Sequence, residues 1–221
     1  FSSMFFPIGD DQVHRGFTPF FSFGFIALNV MVFFYQSSLG EAGAEFIYNY
    51  GSIPLEFERG EDYYTLLTSI FLHGSWMHLI GNMWFLWIFG DNVEDSMGSF
   101  RFAIFYLLCG LAAAGAQIIA NTASPIPMVG ASGAIGGVMG AYMLLHPNAR
   151  ILTLIPIIIF PWFVEIPAFF FLGLWFVLQF LNAAGSAGAV TGVAWWAHIG
   201  GFVCGMLFLK LFKQIPGAGI S

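Results

Sequence analysis

The sequence predicts an all-α membrane protein: a bundle of six transmembrane helices with a short central fourth helix and a large first external loop that dips into the membrane. Three observations carry this. Of 221 residues, 58% are apolar and only 8% charged, whereas a soluble domain carries about 25% charge. Apolar runs of roughly membrane-spanning length recur six times along the chain. Within two of them sit a serine, in Gly130-Ala131-Ser132-Gly133-Ala134, and a histidine, in Ala197-His198-Ile199-Gly200-Gly201. The length suits one bundle, so residues 1–221 read as a single domain.

The first segment covers about Pro19 to Tyr35, with proline near its start, where a missing N–H costs nothing. Ahead of it, residues 1–18 read as a cytoplasmic N-terminal segment. Phe1-Ser2-Ser3, before Met4, read as an appended or upstream remnant. No cleavable signal peptide is expected, because Pro7, Asp10, Asp11 and Arg15 break residues 5–16. Residues 40–72 form the external loop. Its stretch from Gly40 to Asp62 holds Glu41, Glu45, Glu56, Glu58, Glu61 and Asp62, yet also Phe46, Ile47, Tyr48, Leu55 and Phe57. That much apolar surface argues for a folded loop rather than a tether.

The second segment covers about Trp76 to Phe89, the third Phe102 to Ala120, the fourth Ser132 to Leu145, the fifth Ile166 to Leu181 and the sixth Ala194 to Phe212. With six alternating helices, Arg15, Arg101, Arg150, Lys210 and Lys213 fall on one side and only Arg59 on the other. The positive-inside rule then puts both termini in the cytoplasm, in a bacterial inner membrane, and the acidic loop outside. The fourth segment, about 14 residues at ~1.5 Å each, spans roughly 21 Å against a hydrocarbon core of about 30 Å. Its N-terminus, with Ser132, therefore ends about 10 Å below the outer surface. The preceding Ser124-Pro125-Ile126-Pro127 is not helical, and irregular backbone at that depth needs protein or a water-filled cavity beside it. Ser132 is expected at the floor of a wet, outward-opening cavity.

Four polar side chains belong to that cavity by depth: Ser132, His198, and the pair His78 and Asn82, which are four apart and share a helix face. Polar groups at such depth are costly and usually functional. A serine hydroxyl becomes a useful nucleophile when a neutral imidazole takes its proton. The oxyanion that follows needs preorganised donors, and His78, Asn82 and the Ser132 N–H are candidates. No Asp or Glu lies within the segments except Glu165, at the far margin of the fifth, which points to a Ser-His dyad. Gly133 and Gly137 on the fourth segment, with Gly201 and Gly205 on the sixth, allow the two helices to approach closely. His73 reads as a structural hydrogen bonder, His14 and His146 as solvated, and Arg150 and Glu165 as interfacial charges.

Taken together, His73, His78 and Asn82, then Gly130-Ala131-Ser132-Gly133, then Ala197-His198 with Gly201 and Gly205, resemble the rhomboid family of intramembrane serine proteases. Met97-Gly98-Ser99-Phe100-Arg101-Phe102 leading to Tyr106 resembles the start of that family's third helix. The resemblance runs along nearly the whole chain. It implies Ser132 as nucleophile, His198 as general base, His78 and Asn82 as oxyanion donors, no cofactor and no metal. It also implies six helices and cleavage of transmembrane segments of single-pass or polytopic membrane proteins near the outer interface. Two positions depart from the pattern: Tyr63-Tyr64 stands where many members carry Trp-Arg, and Gly136 where many place an aromatic that stacks on the catalytic histidine. His198 is then expected to be packed by Trp195, Trp196 or an aromatic of the second helix.

Other classes are weakly supported. No HExxH is present for zinc, no segment carries a buried Asp for an aspartyl dyad, and Gly-x-Ser-x-Gly is absent. The net charge of -6 without a basic patch excludes nucleic acid as a partner, leaving the lipid bilayer and client helices. Cys109 and Cys204 imply no disulfide framework. The rival reading is a non-proteolytic member that binds client helices or serves as a structural subunit of a membrane complex. Oligomeric state stays open, and nothing suggests the inverted repeat of a transporter.

Overall fold

The computed structural model describes residues 6–11, 17–157, 160–186 and 193–213. His14 and Arg15 lie outside them, as does most of the connection between the last two helices. Strand β1 (Phe6–Asp10) precedes α1 (Phe20–Ser38); the loop helices α2 (Ala42–Tyr50), α3 (Pro54–Glu58) and α4 (Thr65–Thr68) follow. Next come α5 (Trp76–Met97), α6 (Ser99–Ala120) and α7 (Ser132–Leu145), then β2 (Arg150–Ile157) and β3 (Phe160–Pro167), and last α8 (Ala168–Gly185) and α9 (Trp195–Phe212). The six expected segments are α1 and α5 to α9. Among the described residues, α1, α6, α8 and α9 are long and apolar enough to cross a membrane.

Helix α7 is the hub. It packs on α5, α6, α8 and α9, and from Gly133 to Met143 every residue is buried. Lipid tails are as apolar as leucine, so close backbone contact rather than apolar burial must hold such helices together. The glycines make that contact possible. A Cβ on Gly201 would strike the Gly133 carbonyl oxygen, and one on Gly205 the Gly137 carbonyl oxygen. On its other flank α7 meets α6, where Gly133 and Gly137 leave room for Ala113 and Cys109. Helices α5 and α6 are joined by Gly98 alone, at φ +79.

Two features were not foreseen. Helix α5 runs two turns beyond the expected Phe89, so carboxylates do enter the bundle, contrary to the segment boundaries expected above. Glu94 is fully buried and accepts from the Phe21 and Ser22 backbone N–H groups at 3.0 and 2.7 Å and from Ser22 Oγ at 2.7 Å. An anion at a helix N-terminus satisfies orphan donors and meets the positive end of the dipole. Glu94 is thus a cap for α1, at the end of the bundle away from Ser132.

The second is a three-stranded antiparallel sheet in the order β1-β2-β3. Its β2 and β3 are largely apolar runs rich in Ile, aromatic and proline residues, without the alternation that marks a strand in sequence. Asp10 of β1 accepts from the buried Tyr142 hydroxyl of α7 and from Asn92 Nδ2 of α5 at 2.9 Å. Trp84 Nε1 donates to the Pro7 carbonyl at 2.7 Å. The sheet is therefore tied through Asp10 to the far ends of α5 and α7 and through Pro7 to the middle of α5, and β3 runs directly into α8. Glu165 lies on β3, not on a helix, and pairs with Arg150 at 2.8 Å.

The loop between α1 and α5 is folded, as its apolar content predicts. Tyr64, at one departure from the family pattern, donates its hydroxyl to the Asn49 carbonyl at 2.9 Å, and Thr68 does so to Tyr50 at 2.7 Å. Among the loop's crowded carboxylates, partial burial and the neighbouring Asp62 and Glu61 push the Glu56 carboxyl up. Ser52 and Met128 exchange two backbone hydrogen bonds, and the Gly130 N–H reaches the Ser69 carbonyl at 2.9 Å. These bonds fasten the loop to the irregular backbone that leads into α7.

Candidate active site

Ser132 is the first residue of α7, so its backbone N–H has no acceptor within the helix and stays available. The turn before it depends on Gly130. Its φ of +124 disfavours any side chain, and a Cβ there would lie 2.6 Å from His78 Nε2 and 3.5 Å from Asn82 Nδ2. The same absence of a side chain lets both polar groups of α5 converge two residues ahead of the serine.

His198 stands one turn into α9, with Nε2 2.9 Å from Ser132 Oγ. Close packing of α7 on α9 sets that distance. The departure at Gly136 has a geometric reason: a Cβ there would meet the His198 carbonyl oxygen at 3.0 Å and the Phe202 nitrogen at 3.4 Å. An aromatic would have no room. The imidazole is packed instead by Trp195, edge-on at 5.9 Å, and by Trp175 of α8 at 6.0 Å. Trp195 was among the expected partners; Trp175 was not, and Trp196 packs with Phe180.

Asn82 is buried, and its Nδ2 lies 2.9 Å from His73 Nε2. His73 is itself fully buried, and its carbonyl accepts from Gln36 of α1 at 2.7 Å. Ring and amide hold each other, which fixes where Asn82 presents its second N–H. His78 is held through its backbone, which donates to the Ser75 side chain capping α5 at 3.2 Å.

Two glutamines escaped the sequence reading. Gln117 of α6 accepts from the Trp196 and Ala197 N–H groups at 3.0 and 3.3 Å, capping α9 beside His198. Gln179 of α8 places Oε1 2.9 Å from His198 Nδ1. Both are uncharged amides in apolar helices, and the rule that singled out Asn82 would have found them.

A cavity of about 640 Å³ opens over this constellation, lined by Ser132, His198, His78 and Gln179 and walled by α5 on one side and α8 on the other. Behind Ser132 lies a recess of about 40 Å³ bounded by Gly110, Ala113, Gly130 and Ala197. Among the described residues no group of three or more His, Cys, Asp or Glu is placed to hold a metal ion. The arrangement supplies a hydroxyl in contact with an imidazole, N–H donors close by, and a largely apolar cavity over them.

Residues 60–214 match the family model of the rhomboid domain. The chain is 30% identical over 202 residues to the rhomboid protease GluP of Bacillus subtilis (strain 168), covering 91% of this chain and 36% of that protein. Rhomboid-like protein 11, chloroplastic, of Arabidopsis thaliana is 24% identical over 211 residues, 90% of this chain and 68% of that one. Rhomboid protein 1, mitochondrial, of Saccharomyces cerevisiae (strain ATCC 204508 / S288c) is 32% identical over 161 residues, covering 67% and 42%.

Proposed function

The chain belongs to the rhomboid family and is an integral membrane protein, and from that premise we propose that it is an intramembrane serine endopeptidase working through a Ser132–His198 dyad. The observation that carries this reading is the 2.9 Å contact between Ser132 Oγ and His198 Nε2 at the floor of a cavity. Ser132 Oγ attacks the scissile carbonyl as His198 Nε2 takes its proton. The oxyanion is received by the Ser132 N–H and by the side-chain donors of His78 and Asn82. His198 returns the proton to the leaving amine, then activates the water that releases the acyl-enzyme.

The substrates are transmembrane segments of single-pass or polytopic membrane proteins, cut near the outer interface. A helical backbone has its carbonyls hydrogen-bonded and shielded, so the client must unwind locally, which Gly, Pro or polar residues favour. The 40 Å³ recess beside Ser132 suits a methyl-sized group, and the residue before the cut should be small, such as Ala. The asymmetry of the basic residues, and the likeness to a Bacillus protein, support a bacterial inner membrane with both termini cytoplasmic.

A fluorophosphonate probe tests the chemistry. The wild-type protein should be labelled and Ser132→Ala should not; a folded wild type that stays unlabelled would favour the client-binding reading instead. Selection is tested on a model single-pass substrate. Pro or Gly near its outer end should speed cleavage, and Phe in place of the small residue should slow it. Equal rates for unwound and poly-Leu segments, with Phe accepted as readily as Ala, would contradict the proposed selection.

A further inference from the structure

An imidazole can serve Ser132 only if its two nitrogens differ, one holding a proton and the other offering a lone pair. The surroundings of Gln179 decide which is which. Its Nε2 lies 3.2 Å from the Trp175 carbonyl, one turn earlier on α8. A carbonyl can only accept, so the amide NH₂ belongs on that side and Oε1 faces His198 Nδ1 at 2.9 Å. An amide oxygen cannot donate, so Nδ1 carries the proton. Nε2 is left with its lone pair towards Ser132 Oγ at 2.9 Å, and the hydroxyl is the donor.

Resting on the dyad reading above, we propose that Gln179 is a positioning residue that fixes the tautomer and aim of His198, and that the base is therefore competent only while α8 stays seated on α9. Gln179 touches no reacting atom; it acts through the imidazole, as the third member of a nucleophile-base-orienter chain. As Oγ attacks and Nε2 gains the proton, the ring becomes an imidazolium, and the Oε1 dipole meets its positive edge. Nδ1 keeps its proton throughout. Among the described residues, no Asp, Glu, Lys or Arg lines the cavity, and the titratable group that shares it with His198 is His78 from α5. A neutral amide is thus the orienter.

Its location matters as much as its chemistry. Trp175, one turn from Gln179, packs on both His198 and Phe202 of α9, and Phe176 packs on Phe202 at 4.9 Å. This seam holds α8 against α9, and two of its members, Trp175 and Gln179, also line the cavity. A movement that peels α8 off α9 removes Oε1 and frees the imidazole to take the wrong tautomer. Access movements that roll α8 along the seam leave the base armed. Catalytic readiness is thus coupled to the seating of α8 on α9.

The test uses the full-length protein in proteoliposomes with two substitutions. Gln179→Leu keeps the bulk and removes the acceptor; Gln179→Glu restores an acceptor with a charge. For Gln179→Leu, kcat on a transmembrane substrate and the fluorophosphonate labelling rate should both fall about tenfold, the loss of one neutral hydrogen bond at the base, with KM unchanged. Gln179→Glu should recover most of that rate and move the acidic limb of the kcat/KM profile to higher pH, because a carboxylate favours the imidazolium. Thermal unfolding of both variants separates this from damage to the fold. A Gln179→Leu protein within twofold of wild type in kcat and in labelling, or a Gln179→Glu profile superimposed on that of wild type, overturns the proposal. Failure of the dyad reading looks different, since wild type and Ser132→Ala would then be equally inert.

Discussion

Ser132→Ala is expected to cut the rate of transmembrane-substrate cleavage by about 10⁴-fold or more, and adding His198→Ala to it should cost almost nothing further. The reason is that nucleophile and base act as one unit. With the hydroxyl gone, a lone imidazole at His198 has no proton to take from Oγ; with the imidazole gone, Ser132 keeps its proton and attacks poorly. Each single loss should therefore approach the double. Whatever activity survives would come from the oxyanion donors and from binding alone. Neither change should unfold the protein. Ser132 is only partly buried and faces the cavity, and its removal leaves the Gly133–Gly201 and Gly137–Gly205 contacts in place. Single-turnover cleavage by the two single variants and the double, beside their melting temperatures, checks this. A multiplicative double loss, or a Ser132→Ala protein retaining a tenth of the activity, would mean that the two residues do not form the working pair.

The site was more legible than its support, for physical reasons that particular residues make plain. Ser132, His198, His78 and Asn82 stand out because a polar side chain in an apolar helix is expensive, and the glycines at 133, 137, 201 and 205 mark where backbones touch. The structure gathers the four polar residues about Gly130 and Ser132, and the four glycines line the α7–α9 contact from Ser132 down. The short span of α7 was readable from length alone, and it begins at Ser132 as expected. What sequence did not reveal depends on three-dimensional pairing. Nothing local says that Glu94 reaches 72 residues back to Ser22, or that Asp10 meets Tyr142 across 132 positions. Those partners sit at helix ends, where the apolar run has stopped and the polar-in-apolar signal fades. The strands β2 and β3 hid because an unbroken apolar run reads equally well as strand or buried helix. Gly136 seemed to deprive His198 of its packing partner; Trp195 takes part of that role as expected, and the rest falls to Trp175 on α8, a helix the spacing of motifs never pointed to.

A bridge across the mouth of the cavity should stop cleavage of membrane-embedded substrates while sparing the chemistry. Helix α8 leans on α9 through Trp175, Phe176 and Gln179, and the cavity, which Trp175 and Gln179 also line, separates α8 from α5. At the end away from Ser132, α8 emerges from β3, and the sheet is pinned there to α5 by the Asn92–Asp10 bond, with the Trp84–Pro7 bond nearer mid-helix. The cleft is thus anchored at one end, so any widening must occur at the other, beside the serine, where a client helix would arrive. Met77 on the first turn of α5 and Leu178 on α8 both line the cavity at that end. With both changed to cysteine and Cys204 replaced by alanine, a reducible bifunctional thiol linker can join them; Cys109 is buried. If α5 and α8 form the gate, complete linkage should lower transmembrane-substrate cleavage to about 1% or less, as expected when closure blocks access. Labelling of Ser132 by a small fluorophosphonate should persist, and reduction of the linker should restore cleavage. Unchanged proteolysis after complete linkage would show that clients reach Ser132 by another route, and that α8 is a wall and not a door.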